Sequence, residues 1–304
     1  MKDYLLFAGS SNHVLAERIA QQLHINLGSV ELTRFADGEV RPWIQEDVRD
    51  KTVFVLQSFS NPMDQYIIEM ALMGDAIRRS APKTMIAIIP YMGYSRQDKQ
   101  HRVGEPISSR VIAKLIEVSK FKEVIVVDLH NDAIVGFFQI PVMHISAMPV
   151  FVDAVKKLGV KDPVVVSPDV GGVRRARNFA YQLDADLIVM EKKRFIDRHD
   201  TSENFQIIGD VKGRTAIIND DIISTGGTIK HGAEALRAAG ATSVIVCASH
   251  AVLAGDVKQN LEKAQIDHLI VTDTIVAADK RLPKGTTVIS VAPIIASAIS
   301  TITR

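Results

Sequence analysis

The sequence predicts an α/β protein built on a mostly parallel sheet that is flanked by helices. Short apolar runs rich in Val and Ile recur throughout the 304 residues, and such runs are typical of strands covered on both faces of a parallel sheet. Longer segments with helical spacing separate the runs, and this alternation is typical of the α/β class. The predicted strands are residues 53–56, 85–89, 124–127, 164–166, 187–190, 216–218, 244–247 and 269–271.

An internal repeat predicts how these elements are divided into domains. Residues 51–89 run from a strand through a polar turn and a helix to a second strand, and residues 213–247 repeat that order with similar lengths but few identities. We therefore predict two similar domains in tandem, residues 1–147 and 148–304. Because any two strand–helix–strand units share this order, chance similarity is an open alternative on the repeat alone. The predicted helices are residues 63–80, 108–119 and 228–239.

Composition and charge argue against several classes of protein. The 36 Lys and Arg residues balance 35 Asp and Glu residues, whereas a dedicated nucleic-acid binder needs a basic excess for phosphate contacts. The single cysteine, Cys247, cannot form an internal disulfide, which favours a reducing compartment. The N-terminus lacks the apolar stretch of a signal peptide, and no apolar run reaches the roughly 20 residues of a membrane-spanning helix. We expect a cytoplasmic protein whose partners are neither nucleic-acid polymers nor membranes.

The sharpest motif follows the predicted strand at residues 216–218. Two acids, Asp220 and Asp221, precede a small polar loop and the start of a helix. Ligands of open parallel sheets bind beyond the carboxyl ends of strands, where backbone N–H groups suit a phosphate and carboxylates can accept hydrogen bonds from sugar hydroxyls. A plain capped helix start is the alternative, but paired acids are unusual there. The loop residues are Ser224, Thr225, Gly226, Gly227 and Thr228.

Three segments of the first half place aromatic or charged residues in turns or at strand ends. Residues 35–39 read Phe-Ala-Asp-Gly-Glu, and an aromatic ring can stack on a purine, although alone this segment would indicate a surface turn. Residues 90–99 follow a predicted strand and include Arg96, whose planar guanidinium suits phosphate oxygens or a purine face. The strand at 124–127 precedes His130, although a lone histidine at a strand end is more often structural.

A strand–loop–helix pattern with glycines recurs near the start of the second half. The predicted strand at 164–166 leads to Asp169, whose oxygens are the hard ligands that magnesium favours, and to Gly171-Gly172, which opens the backbone toward a phosphate. Arg174 and Arg175 begin the next helix. They could equally be exposed cations without a ligand, and the predicted site leaves them out.

A pair of cations follows the predicted strand at 187–190. Lys192 and Arg194 lead into a charged stretch, residues 195–204, which lacks apolar periodicity and predicts a mobile loop. Cations on a closing loop would stabilise charge that spreads over phosphoryl oxygens in a transition state. Taken alone, a Lys-Lys-Arg run is usually a solvated turn.

Together these segments resemble the ribose-phosphate pyrophosphokinase family, and the resemblance covers nearly the whole chain. It implies two tandem phosphoribosyltransferase-type domains that transfer the β,γ-diphosphoryl group of Mg-ATP to ribose 5-phosphate, with AMP leaving. It also implies a homo-oligomer that is based on dimers and assembled as a hexamer or tetramer.

The resemblance also implies a role for each candidate residue. The implied ATP-binding residues are Phe35, Asp37, Gly38, Glu39, Arg96 and Gln97. The implied ribose 5-phosphate-binding residues are Arg194, Asp220, Asp221, Ser224, Thr225, Gly226, Gly227 and Thr228. The implied magnesium ligands are His130 and Asp169, and the implied catalytic residues are Lys192 and Arg194.

Three positions depart from the common family pattern, and two other functions are open. Gln139 and Met143 stand where many members carry aspartates, and Ser224 opens the ribose loop where many members carry Asp. Neither regulation by phosphate or ADP nor strict dependence on ATP is therefore predicted. A nucleobase phosphoribosyltransferase would carry the same ribose-phosphate loop. A non-catalytic subunit that binds nucleotide would share the fold, but the retained His, Asp, Lys and Arg residues speak against lost catalysis.

Overall fold

The computed structural model describes residues 3–193, 204–276 and 281–304, with the side chains of residues 192, 193 and 204 outside the described set. These residues form two compact units. The first unit contains residues 3–147, 274–276 and 290–304, and the second contains the remainder. The predicted second domain ran to residue 304, so the structure differs from the prediction at the C-terminal end.

A five-stranded sheet forms the centre of the first unit. Its strand order is β1-β4-β5-β6-β7, and every neighbouring pair is parallel. An antiparallel hairpin of two strands, β2 and β3, lies outside this sheet. The strands are β1 (Tyr4–Ala8), β2 (Val30–Arg34), β3 (Val40–Ile44), β4 (Thr52–Leu56), β5 (Thr84–Ile89), β6 (Glu123–Val127) and β7 (Val142–Ile145). The helices are α1 (His13–Leu23), α2 (Met63–Arg79), α3 (Ser108–Val118) and, from the C-terminal segment, α8 (Ala292–Ile302).

The apolar spacing of the helices explains how the first unit is packed. In α3, Ile112, Ala113 and Ile116 are buried at helical spacing and join the core that contains Phe7 and Met70. Helix α8 has a high content of Ile and Ala and packs against α1. This contact groups the C-terminal helix with the first unit, which a sequence-order domain boundary could not foresee.

The second unit is built on a seven-stranded sheet. Its order is β10-β9-β8-β11-β12-β13-β14, parallel throughout except for the β9–β10 pair. The strands are β8 (Pro163–Ser167), β9 (Asp186–Lys193), β10 (Asn204–Ile208), β11 (Thr215–Ile223), β12 (Ser243–Ala251), β13 (His268–Thr272) and β14 (Thr287–Ile289). The helices are α4 (Met148–Lys157), α5 (Val173–Leu183), α6 (Gly227–Ala238) and α7 (Val257–Lys263).

The strand order of the second unit reverses between β8 and β11. From β8 the chain continues outward to β9 on one side, whereas β11 lies on the other side and the chain continues from it to β12. Such a switch point opens a crevice at the carboxyl ends of the two strands, and open α/β sheets bind their ligands there. The loops that follow β8 and β11 are therefore the expected place for a ligand.

At the amino ends of β12 and β13, a carboxylate connects β12 with helix α6. Asp267 accepts hydrogen bonds from the Val244 backbone N–H (2.7 Å), the Ser243 hydroxyl (2.9 Å) and the Arg237 guanidinium (2.5 Å). Burial alone would raise the pKa of Asp267, but these donors lower it below its ordinary value. The group therefore contributes stability that is present above the unfolded pKa and lost as the pH falls through the folded pKa.

We expect Asp267→Ala to lower the free energy of unfolding by about 1–2 kcal/mol, because it leaves the Val244 N–H and Arg237 with weaker partners at a half-exposed site. Thermal unfolding at one fixed protein concentration measures the effect, which should shrink below about pH 4. Glu262→Ala, which removes an exposed acid on α7, is the control and should change stability little. Equal losses for both variants would contradict the assignment.

Candidate active site

The loop after β11 has the geometry of an anion cradle. Gly226 lies at the N-cap of α6 with a φ of 76°, a backbone conformation that favours glycine. Two hydrogen bonds to loop carbonyls fix the loop. The Ala254 N–H donates to Ser224 O (3.0 Å), and Asn260 Nδ2 donates to Thr225 O (2.8 Å). Within the described residues, the N–H groups of 225–228 donate to no protein acceptor. They are the donors that a helix N-terminus offers to an anion.

The two acids lie near the end of strand β11 rather than after it. The strand extends to Ile223, five residues beyond the predicted end at residue 218. Asp221 is almost fully buried, and Asp220 is partly buried with its Oδ1 accepting a hydrogen bond from the Asp221 N–H at 2.8 Å. Burial and the neighbouring charge of Asp221 raise the pKa of Asp220 to about 8. Two carboxylates this close cannot both ionise readily near neutral pH.

Arg175 contacts both acids from the neighbouring helix α5. Its Nη2 atom lies 2.9 Å from Asp221 Oδ1 and 3.5 Å from Asp220 Oδ1. The sequence placed Arg175 at a helix start but outside the predicted site. A tertiary contact between α5 and β11 identifies it, and no local pattern separates it from Arg174.

The loop after β8 is tight and holds a candidate metal ligand. Asp169 is exposed, and its Oδ1 accepts a hydrogen bond from the Gly172 N–H at 2.8 Å. The Ser167 hydroxyl donates to the Asp169 carbonyl at 2.7 Å, and a Cβ on Gly172 would lie 3.0 Å from that hydroxyl oxygen. The close approach explains the glycine and leaves an oxygen ligand at the carboxyl end of β8.

Two segments of the first unit that were predicted to contact Mg-ATP meet at the carboxyl ends of β5 and β6. Asn131 Nδ2, next to His130, donates to the Asp98 carboxylate at 2.7 Å, which joins the loop of residues 90–99 to the loop after β6. Arg96 and His130 are exposed on these loops. Gln97 is also exposed, but its amide oxygen accepts a hydrogen bond from the Ser108 hydroxyl at 2.5 Å, so it also fixes the start of α3.

A histidine outside the predicted site supports the loop of His130. His144 on β7 accepts a hydrogen bond from the Leu129 N–H through Nε2 at 2.9 Å, and its Nδ1 lies 3.3 Å from Asp132. Burial lowers the pKa of His144, although the charge of Asp128 opposes this effect. The neutral ring, with its proton on Nδ1, fits both contacts. The parallel pairing of β6 and β7 brings His144 next to the loop of His130, and the sequence alone does not show this contact.

The β2–β3 hairpin carries the other predicted ATP contacts. Phe35 is half exposed, and the Arg41 guanidinium lies 5.8 Å from the centre of its ring. Gly38 has a φ of 97° at the turn, and its carbonyl accepts a hydrogen bond from Arg34 at 2.9 Å. Asp37 Oδ1 accepts a hydrogen bond from the Glu39 N–H at 3.2 Å, which closes the turn. Among the described residues, no hydrogen bond or ion pair joins this turn to the Arg96 or His130 loops.

The predicted catalytic pair lies at the edge of the described structure. The backbone of Lys192 belongs to β9, where it pairs with Phe205 of β10. Arg194 and residues 195–203 lie outside the described residues.

The described residues contain neither a preformed metal cluster nor a membrane span. No three or more His, Cys, Asp and Glu side chains in the described ranges are grouped so that they could hold a metal ion. No described helix has the length and apolar character needed to cross a membrane.

Fold and site together define a class of protein. A parallel sheet with phosphate-suited loops on both sides of its switch point, and with paired acids at the end of the strand before one of them, is typical of α/β proteins that bind phosphate-bearing ligands. Comparison with known families agrees: residues 139–280 match the phosphoribosyl transferase domain, and residues 4–119 match the N-terminal domain of ribose phosphate pyrophosphokinase.

Individual relatives extend this match over the whole chain. The sequence is 42% identical over 299 residues to ribose-phosphate pyrophosphokinase 1 of Streptococcus pneumoniae, which covers 98% of this chain and 93% of the relative. It is 42% identical over 294 residues to ribose-phosphate pyrophosphokinase of Bacillus cereus, which covers 97% and 92% of the two chains. The crystal structure of phosphoribosylpyrophosphate synthetase from Mycobacterium smegmatis superposes with a TM-score of 0.92, at 37% identity and 99% coverage of both chains. The chain belongs to the ribose-phosphate pyrophosphokinase family and is an enzyme, as the sequence predicted.

Proposed function

We propose that the chain transfers the β,γ-diphosphoryl group of Mg-ATP to the 1-hydroxyl of ribose 5-phosphate, giving 5-phosphoribosyl 1-pyrophosphate and AMP for nucleotide biosynthesis. The observation that carries the proposal is the loop after β11. Its four N–H groups have no acceptor among the described residues, and a pair of acids lies at the end of the strand before it. The 5-phosphate suits the N–H groups, and the sugar hydroxyls suit the acids.

The loop after β11 and the two acids of β11 are assigned to different parts of the sugar phosphate. Ser224, Thr225 and Thr228 supply hydroxyls, and Gly226 and Gly227 let the backbone approach the 5-phosphate. Asp220 and Asp221 accept hydrogen bonds from the ribose hydroxyls, which orients the 1-hydroxyl for attack.

The nucleotide is assigned to the polar loops of the first unit. Arg96 and Gln97 contact the ATP phosphates and base, and Phe35 stacks on adenine. Asp37, Gly38 and Glu39 supply acceptors at the hairpin turn for the exocyclic amine. The exposure of Phe35 and Arg96 supports these roles, because both side chains can reach a ligand without a change in the core.

Magnesium is assigned to two separate residues: His130 for the ion of Mg-ATP, and Asp169 for a second ion. Asp169 offers an exposed carboxylate at the carboxyl end of β8, and oxygen is the ligand that magnesium prefers. When bound, the ions would neutralise phosphate charge. Because magnesium prefers oxygen ligands, the histidine would reach it through water.

The transfer needs no covalent enzyme intermediate. The oxygen of the 1-hydroxyl forms a bond to the β-phosphorus, the bond from that phosphorus to the oxygen that bridges the α- and β-phosphates breaks, and AMP leaves with that oxygen. The hydroxyl proton passes to solvent. Lys192 and Arg194 stabilise the charge on the phosphoryl oxygens, and Arg194 also contacts the sugar phosphate.

An assay of AMP release tests the proposal. The chain is supplied with Mg-ATP and ribose 5-phosphate, and AMP and phosphoribosyl pyrophosphate are both measured. We expect the two products in equal amounts and neither when ribose 5-phosphate is left out. A nucleobase phosphoribosyltransferase would instead release pyrophosphate from phosphoribosyl pyrophosphate and a base, and that result without AMP release would replace the proposal.

The proposal includes a homo-oligomer. Several apolar side chains on the outer faces of two helices of the first unit are exposed by a third or more. They are Ile68 and Leu72 on α2 and Val111, Leu115 and Val118 on α3. Exposed apolar residues repeated along adjacent helices are typical of a surface that another protein covers, and a second copy of the chain is the occupant that the family implies.

Val118→Asp should shift the protein toward the mass of a single chain, 33.4 kDa. The cause is the burial of a charge in an apolar contact, which we expect to raise the dissociation constant by about tenfold or more. Sedimentation over a dilution series measures the shift. Leu158→Asp, at an exposed apolar position of the second unit, is the control. If both variants sediment like the unmodified chain, α3 is not part of the interface.

A further inference from the structure

Arg175 links the two loops that flank the switch point of the second sheet. It lies in the first turn of α5, directly after the β8 loop, and its guanidinium reaches across to the acids of β11. Its side chain is only 24% exposed. A largely buried cation loses hydration and is tolerated only where fixed partners compensate for that loss. Asp221 and Asp220 are such partners.

The positive charge of Arg175 affects how the acidic pair can bind an anionic sugar. Ribose 5-phosphate is an anion, and the negative charge of the acidic pair would repel it without a neighbouring cation. The Arg175 guanidinium lies 2.9 Å from Asp221 and so offsets negative charge at the place where the sugar hydroxyls are assigned. It also restricts the rotation of the carboxylate, so that its remaining acceptor positions keep one direction.

We propose that Arg175 is a positioning residue for ribose 5-phosphate, which orients the Asp220–Asp221 pair and reduces its repulsion of the anionic sugar. This inference rests on the proposed function of the loop after β11. It assigns Arg175 to the sugar rather than to the nucleotide, and it assigns no such role to the exposed arginine on the same helix, Arg177.

Three variants separate this role from general packing. Arg175→Gln removes both the charge and the paired guanidinium donors, whereas Arg175→Lys keeps the charge without the paired donors. Arg177→Gln removes the same charge at an exposed position of α5. The dissociation constant of ribose 5-phosphate is measured by calorimetry. KM for each substrate and kcat are measured by AMP release.

We expect Arg175→Gln to raise the dissociation constant and KM for ribose 5-phosphate by about tenfold or more, as is typical when a charged hydrogen-bond partner is lost. KM for ATP should stay within about twofold, because no ATP contact is assigned to Arg175. Arg175→Lys should recover part of the loss, and Arg177→Gln should bind the sugar like the unmodified chain.

An unchanged affinity of Arg175→Gln for ribose 5-phosphate, or an equal rise in KM for both substrates, would overturn the inference. If Arg175→Gln does not fold, Arg175→Lys decides: weaker binding of the sugar alone supports the role, and normal binding overturns it. Calorimetry keeps the two proposals apart. If the unmodified chain binds the sugar but releases no AMP, the proposed reaction fails while the comparison of sugar affinities still decides on Arg175.

Discussion

Lys192→Ala is expected to lower kcat by about a hundred- to ten-thousand-fold while leaving the affinity for ribose 5-phosphate nearly unchanged. Charge on the transferred phosphoryl oxygens grows toward the transition state, so a cation that acts there contributes to kcat more than to ground-state binding. Lys192 is well placed along the chain for such a role, because β9 is the direct neighbour of β8 in the sheet and carries Lys192 near its carboxyl end.

The matched control is Lys193→Ala, which removes the same charge one residue further along β9. Single-turnover AMP formation for both variants separates the chemical step from product release. The assignment requires a large loss for Lys192→Ala and a small one for Lys193→Ala. Near-normal turnover of Lys192→Ala would remove this residue from the mechanism without touching the family assignment.

Much of the fold could be predicted because buried strands have a strong local pattern. Each of the eight predicted strands overlaps an observed strand, since runs such as Val124–Val127 are apolar at every position. The hairpin strands β2 and β3 were not predicted, because they alternate partly buried and exposed residues and contain Arg, Glu and Pro. The position of α8 depends on its packing against α1, and this contact between distant parts of the chain cannot be predicted from the order of the elements.

The candidate site divides in the same way. Loop residues such as Gly226 could be selected from sequence, because glycine, hydroxyls and a helix start form one local pattern. The roles of Arg175 and His144 could not, since each depends on which side chain of a neighbouring element points toward the loop. Gln97 shows the converse: a residue selected for a ligand also has a structural hydrogen bond to Ser108. The assigned roles in binding and catalysis stay predictions.

Asp220→Asn is expected to impair function and to improve stability at alkaline pH. For function, the comparison is made at pH 9, above the pKa of Asp220, where the amide offers a single uncharged acceptor and the ionised carboxylate offers two oxygens. Loss of a charged acceptor costs about 1.5–3 kcal/mol, which corresponds to a rise of about ten- to a hundredfold in KM for ribose 5-phosphate. The AMP-release assay at pH 9 and varied sugar concentration measures it.

The effect on stability follows from the raised pKa of Asp220, about 8 in the folded chain, against about 3.9 for an unfolded aspartate. Between these values the folded state binds more protons, so the stability that this group contributes is complete below about pH 4 and is lost as the pH rises through about 8. Asparagine resembles the protonated acid at every pH and avoids this loss. The gain of the variant over the unmodified chain should therefore grow from pH 5 to pH 9.

Thermal unfolding of the ligand-free proteins at pH 5, 7 and 9, at one protein concentration, measures this gain. Asp153→Asn, which changes an exposed acid on α4, should show neither the pH-dependent gain nor the rise in KM. A constant difference between Asp220→Asn and the unmodified chain across the three pH values would mean that Asp220 is ionised throughout. The opposite signs of the two effects also separate a functional cost from simple misfolding, because a misfolded variant would lose stability and sugar affinity together.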